Sequence, residues 1–386
     1  MAEGRRDDLA FGPDMRIGFL GGGQLGRMTI QAALDLDLRI EVMDPDVQCP
    51  CARIAHQFTQ GDLNDAEAVI AWGRSLDVVT VEIENVSTEG LTALKAMGVK
   101  VLPDPAHLAL IRDKGLQKQF YAEHDIPTSD FALVEDGRAE ALSRGLPVVQ
   151  KLRTGGYDGR GVQVIRTEDE ARYAFDAPSV LEDAVDIEKE LSVIVARSTS
   201  GEVKTYPVVE SVFNALNLVD YLVAPARVSA EVEAEARRVA LSVVEAMDFV
   251  GLLAVELFLD KEGRILVNEV APRAHNSGHH TIEACGTSQF GQHLRAILGL
   301  PLGDTSQRSA AAMLNLIGGE GANGVPLYTG LAAALAEPGL HPHIYGKAAV
   351  REGRKMGHVT VLADTSDAAE QRVLTLRDHI STVHAH

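Results

Sequence analysis

Residues 15–44 read MRIGFLGGGQLGRMTIQAALDLDLRIEVMD, and the succession of patterns in this stretch decides the fold. MRIGFL is an apolar run of strand length, GGGQLG is a loop, RMTIQAALDLD has helical spacing, and LRIEVMD is a second strand closing at Asp44. Strand, glycine turn, helix and strand together make a parallel β–α–β unit. DVVTVEIE (77–84) and VKVLP (99–103) continue the alternation, which predicts a parallel, doubly wound sheet over about 15–110. Gly21, Gly23 and Gly26 match G-x-G-x-x-G at the first turn, where glycines permit a tight turn and helix amides face an anion. Three readings of this loop stay open: a dinucleotide, another ligand at the helix start, or a purely structural turn.

Outward from this unit the texture changes. A helix is expected over 105–124, then short strands separated by glycine turns: LPVVQKL, GVQVI, SVLEDA, KELSVIVAR and VKTYPVVE. A long helix (230–247) leads into LLAVELFLDKEGRILVNEV (252–270), and beyond about 305 come AAMLNLIG, HIYGKAAV and HVTVLAD. The fold class is therefore α/β joined to α+β. The expected divisions are a loose leader (1–14), a Rossmann-like unit (15–115), a mixed antiparallel-rich unit (116–305) and a small β-rich C-terminal unit (306–386).

The chain has 386 residues, 46% hydrophobic and 24% charged, which is globular composition and excludes disorder. Its 55 acidic against 36 basic residues give a formal charge of −19, a field that repels nucleic acid and anionic membranes. Any phosphate ligand must then find a local cationic pocket. Three cysteines cannot build a disulfide framework and suit a reducing cytoplasm. No apolar run reaches the length of a membrane span.

Chemistry gathers at four places. Lys151 ends an apolar strand and precedes Arg153-Thr154-Gly155-Gly156-Tyr157-Asp158-Gly159-Arg160-Gly161, a glycine-rich hairpin whose bare amides can approach phosphate oxygens. In 252–270, a turn over 261–264 would place Asp260 opposite Ile265 and Glu256 opposite Glu269. Like charges opposed across strands repel. A divalent cation resolves the conflict, and two carboxylates beside the Asn268 amide are the hard oxygen set that Mg²⁺ prefers. APRAHNSGHHT (271–281) is rich in donors and suits an anionic second substrate; a zinc reading of His275, His279 and His280 has no supporting carboxylate or cysteine pattern. Lys347, Arg351, Arg354 and Lys355 form a late basic cluster, either a solvated hairpin or a phosphate clamp.

Taken together, GGGQLGRM (21–28), KLRTGGYDGRG (151–161), NEVAPRAHNSGHHT (268–281) and GRKMGH (353–358) resemble the ATP-grasp superfamily. Within it they resemble the ATP-dependent 5-(carboxyamino)imidazole ribonucleotide synthases of purine biosynthesis. The resemblance runs from about Met15 to Ala363. It implies an ATP-grasp fold with ATP held by Lys114, Lys151, the loop from Gly156 to Gly161, the segment Glu182-Asp183-Ala184-Val185, and Glu190. It implies Mg²⁺ on Glu256 and Glu269 with Asn268 adjacent. Bicarbonate would attack the γ-phosphate to give carboxyphosphate, which would carboxylate aminoimidazole ribonucleotide. Tyr157, Asp158, Arg273, His275, Asn276 and Ser277 match positions around that ribonucleotide, Lys347 and Arg354 match its phosphate grip, and Gln24 and Leu25 would line it. Family members are commonly homodimers. Lys114 stands where the family usually has arginine, and Phe213 where it often has histidine. Rival readings are a formate-dependent glycinamide ribonucleotide transformylase of the same superfamily and a dinucleotide-dependent oxidoreductase. Glu82-Ile83-Glu84 suits the former; no hydride-transfer site supports the latter.

Overall fold

Strands Arg16–Leu20, Arg39–Asp44, Gln57–Gln60, Val78–Val81 and Lys100–Val101 form a five-stranded sheet in the spatial order third, second, first, fourth, fifth, all parallel. The order reverses beside Arg16–Leu20, so the carboxyl ends of the first and fourth strands open a crevice at the switch point. Ile17, Phe19, Val78 and Val79 are buried, as expected for a parallel sheet covered on both faces. The fourth strand stops at Val81 instead of continuing through the apolar–acidic alternation, and Glu82 and Glu84 leave the ladder just above the crevice. The computed structural model describes residues 12, 14–156, 161–214 and 218–384.

The helix expected over 105–124 is two helices, Pro105–Arg112 and Lys114–Glu123. Asp113 separates them: its carboxylate accepts from the Gly115 and Leu116 amides and caps the second helix, an interaction that competes with helix continuation. A four-stranded antiparallel sheet follows, in the order Phe131–Val134, Ser179–Asp183, Val148–Leu152, Val162–Ile165.

A long antiparallel sheet follows, in the order Ile265–Ala271, Gly251–Asp260, Ile187–Arg197, Val209–Phe213, Val219–Ala224, Ala310–Ile317, Lys355–Ala363, Leu340–Ile344, and two short two-stranded sheets lie beside its C-terminal end. Helix Ala230–Ala246 packs Ala236, Val239, Ala240, Val243 and Val244 onto Val193, Val195, Leu253 and Val255. Pairing of Tyr221 with Leu314 and of Val223 with Ala312 carries the sheet without interruption into the C-terminal region.

Two expected strands are broken. VKTYPVVE divides into Val203–Thr205 and Val209–Phe213 around Pro207, which has no amide hydrogen for the ladder. HIYGKAAV divides because Gly346 takes φ +73°, outside the extended region. Among the described residues, no helix is long and apolar enough to cross a membrane.

Candidate active site

Glu256 and Glu269 are register partners on adjacent antiparallel strands, as the sequence predicted, but by a different route. The turn is one residue tighter than expected: Leu259, not Asp260, lies opposite Ile265, and the Asp260 amide donates to the Arg264 carbonyl at 3.1 Å. The Asp260 carboxylate explains the tightness, accepting from the Glu262 and Arg264 amides at 3.0 and 2.8 Å. A bulge at Asn268, between the pairs Leu257–Val267 and Glu256–Glu269, restores the register. Without it Glu269 would sit on the same face as Val267, in the core.

Glu269 has a cationic counterpart, whereas the partner of Glu256 among the described residues is the His275 imidazole, which burial keeps neutral by lowering its pKa to about 3. Lys114 Nζ, from the first turn of the capped helix, donates to Glu269 Oε2. His275 Nε2 lies 3.1 Å from Glu256 Oε1. Burial pushes the Glu256 carboxyl above the ordinary range, and the Glu269 and Glu190 charges push it further. Burial also acts on Glu269, but the Lys114 ammonium holds it below that range. Burial raises Glu190 to about 7. Glu190, Phe213, Glu256, Asn268, His275 and Ser277 line a cleft. Phe213, set apart in the sequence as a departure from the family, is thus part of the wall.

The Lys151 ammonium donates to Asn268 Oδ1 at 2.7 Å and stands 3.1 Å from Glu182 Oε1. Lys118, which sequence reasoning missed, approaches the same carboxylate oxygen at 3.3 Å and donates to Thr128 Oγ1 and Ser129 Oγ. Ser129 Oγ donates to Glu182 Oε2 at 2.7 Å. Burial opposes ionisation of Glu182, yet Lys151 and Lys118 hold it down to about 2. Burial lowers Lys118 to about 8. Its only signal in the sequence is its place one helical turn after Lys114, which puts both ammoniums on one face. Asp183 pairs with Arg144, away from this cluster, and Ala184 and Val185 continue from it half-buried. Gly161 takes φ +80° at the foot of the glycine-rich hairpin, where a Cβ would come 3.0 Å from the Gly156 Cα. Tyr157, Asp158, Gly159 and Arg160 lie outside the described residues.

The loop after Ile265–Ala271 is anchored residue by residue. Arg273 Nε donates to Glu84 Oε2 at 2.7 Å, which ties the loop to the first sheet. His275 Nδ1 is 3.0 Å from Ser277 Oγ, itself 2.7 Å from Ser192 Oγ. The Asn276 and Asn315 amides bond reciprocally. The three histidines diverge: His279 Nδ1 accepts from the Gln289 amide and His280 Nδ1 donates to the Ser277 carbonyl. They do not form a common ligand set.

At the first glycine loop, the start of helix Gln24–Leu34 is filled from within. The Leu25 amide donates to Glu82 Oε1 at 3.0 Å, and a Cβ on Gly23 would lie 2.5 Å from that oxygen. A dinucleotide pyrophosphate would have to displace this carboxylate, which speaks against the dinucleotide reading of the motif. Gln24 opens the helix and Leu25 is buried beside it. The late basic cluster reaches the same helix: a Cβ on Gly346 would sit 3.5 Å from the Arg27 guanidinium. Lys347 Nζ donates to the Lys355 carbonyl at 2.6 Å, and Arg354 donates to the Ala349 carbonyl at 2.7 Å.

The donor set suits Mg²⁺: two facing carboxylates and an adjacent amide are hard oxygen ligands, and Glu256 is a carboxylate whose charge the protein leaves under-compensated.

The chain matches three family descriptions in order: a ribonucleotide synthetase preATP-grasp domain over 15–112, an ATP-grasp domain over 119–290, and a phosphoribosylaminoimidazole carboxylase C-terminal domain over 311–372. The N5-carboxyaminoimidazole ribonucleotide synthase of Synechococcus elongatus is 38% identical over 372 residues, covering 94% of this chain and 93% of that protein. The chloroplastic phosphoribosylaminoimidazole carboxylase of Vigna aconitifolia is 39% identical over 370 residues, and the chain spans 66% of its length. The crystal structure of N5-carboxyaminoimidazole ribonucleotide synthetase from Thermotoga maritima superimposes with a TM-score of 0.90 at 41% identity, covering 96% of this chain and 100% of that one. The Aspergillus clavatus synthase, in complex with ADP and 5-aminoimidazole ribonucleotide, gives a TM-score of 0.86 at 35% identity, covering 94% and 98%.

Proposed function

The chain belongs to the N5-carboxyaminoimidazole ribonucleotide synthase family of ATP-grasp enzymes, ADP-forming ligases of purine biosynthesis, and we propose how its residues share that reaction. ATP lies between the four-stranded sheet and the long sheet. Lys151 and Lys114 meet its phosphates, Glu182 to Val185 border the base, and Glu190 takes the ribose. Gly156 to Gly161, with Tyr157 and Asp158, are assigned to the phosphates and to excluding water, which matters because carboxyphosphate hydrolyses readily.

Glu256 and Glu269, with Asn268 beside them, would hold Mg²⁺, which supplies charge neutralisation for phosphoryl transfer. A bicarbonate oxygen attacks the γ-phosphorus and the bond to the β-phosphate oxygen breaks, giving carboxyphosphate and ADP. The exocyclic amine of aminoimidazole ribonucleotide then takes up the carboxyl carbon, losing a proton as inorganic phosphate departs. Arg273 and His275 stand where the two reactants meet, Asn276 and Ser277 shape the ribonucleotide side, Gln24 and Leu25 line it, and Lys347 and Arg354 grip its phosphate. Catalysis on this reading is mostly positioning and electrostatic stabilisation.

The observation that supports the reading best is that Glu256 and Glu269 face each other while Lys114 contacts Glu269 and Lys151 contacts the adjoining Asn268. The test is a coupled ADP-release assay with substrates omitted singly. ADP release that requires aminoimidazole ribonucleotide, bicarbonate and Mg²⁺ is expected; equal release without the ribonucleotide refutes it.

A further inference from the structure

We propose that Asn315, on a strand of the C-terminal region, is a positioning residue for the ribonucleotide, acting through Asn276 on the loop 272–281. The inference rests on the reading that this loop faces the second substrate.

The geometry is specific. Asn276 Nδ2 donates to Asn315 Oδ1 at 2.9 Å, and Asn315 Nδ2 donates back to Asn276 Oδ1 at 3.0 Å. The remaining hydrogen of Asn315 Nδ2 goes to the Val219 carbonyl at 2.8 Å, on the neighbouring strand. Each amide donates and accepts within one pair, so neither can rotate without losing both bonds. Asn276 and Asn315 are 9% and 5% exposed, and in that setting an unmet amide is costly.

Asn315 is also out of place by composition. Its strand reads AAAMLNLI (Ala310–Ile317), and Ala311, Ala312, Met313, Leu314 and Leu316 are all buried hydrophobics. Asparagine is depleted in strands, and an apolar side chain of similar size would fill the position without an amide to satisfy. Packing therefore does not account for it; the bond to Asn276 does. Other hydrogen-bonded anchors of residues 273–277 come from elsewhere: Glu84, just past the fourth strand of the first sheet, holds Arg273, while in the middle region Gln289 holds the His275 backbone and Ser192 holds Ser277. Asn315 supplies the C-terminal anchor, so all three regions of the chain set the shape of this loop. That explains how a C-terminal region lacking the paired acids contributes to selection of the second substrate.

The test uses the full chain with Asn315→Leu and Asn315→Asp. The first removes the amide at similar volume. The second keeps the shape and removes both donated bonds, so it carries the same readouts should the first fail to fold. Both variants are expected to raise the ribonucleotide KM roughly tenfold while the KM for ATP stays within about twofold. Amide hydrogen exchange over 275–279 should quicken in the absence of any substrate, with exchange over 251–260 unchanged. Arg227→Gln is the control, because Arg227 joins the same two regions through Glu210 and Glu370 at 2.9 Å each without touching the loop; it should leave the ratio of the two KM values alone. A parallel rise in both KM values, an equal shift in Arg227→Gln, or unchanged exchange over 275–279 overturns the proposal. The exchange measurement needs no substrate, so it separates failure of this inference from failure of the functional reading.

Discussion

Glu256 and Glu269 face each other only because Asn268 bulges out of the strand pairing between them and the turn. The same bulge presents the Asn268 amide to Lys151. One extra residue thus sets the acid pair and joins it to the cation on the opposite sheet. Bulges beside active sites commonly re-aim side chains in this way.

Replacing Glu269 with glutamine is the direct check on that pair. Glu269→Gln keeps the volume but removes a negative charge from the cleft and the ionic partner of Lys114. Turnover should fall at least about a hundredfold, as expected for loss of a group that acts mainly on the transition state, while circular dichroism stays native. Wild-type turnover would refute the metal assignment.

The late basic cluster makes a separate prediction. Arg354→Ala should raise the KM for the ribonucleotide about tenfold or more and leave the KM for ATP nearly unchanged, in steady-state titrations of each substrate. Equal effects on both would argue that the variant merely loosens the segment whose Ala349 carbonyl Arg354 holds.

Acid stability reports on Glu182. Its pKa falls from 4.5 to about 2 on folding, so the unfolded chain binds the proton more tightly. The stability that Glu182 contributes is complete above about pH 5 and is lost as the pH falls towards 2, amounting to about 3 kcal/mol. Glu182→Gln should be less stable than wild type at pH 7, because Lys118 and Lys151 lose their shared counter-charge, and the difference should narrow at low pH. Urea midpoints measured from pH 3 to 7 decide it. A difference independent of pH would contradict the assignment.

Gly23→Ala tests the filled helix start. The added methyl would sit 2.5 Å from Glu82 Oε1, and Glu82 is 5% exposed and cannot swing away. A loss of about 1–3 kcal/mol is expected, read as a drop in Tm of several degrees. An unchanged Tm would mean that Glu82 is not lodged there.

The alternation of strands and helices over 15–110 was legible because period and length are local properties of the chain. So was the helix Ala230–Ala246, with its one apolar face. Lys118 and Asn315 were not legible: each is an ordinary residue in its own segment, and each matters through a partner far along the chain. The break at Asp113 and the tight turn at Asp260 were missed for a different reason, since both depend on a carboxylate bonding backbone amides nearby, where two local preferences compete.

By itself the order of residues determined which chemistry is present: a glycine-rich loop beside Lys151, two acids in one hairpin, and a donor-rich loop after them. Apolar periodicity and turn chemistry operate over a few residues, so they can be read in a line. Only the tertiary structure decided which groups meet: Lys114 with Glu269, Lys118 and Lys151 on one oxygen of Glu182, Glu82 inside the helix start, Asn315 against Asn276. Those contacts depend on how sheets stack and on a single bulge in a strand. Such features arise from packing the whole chain, and no short stretch of it encodes them.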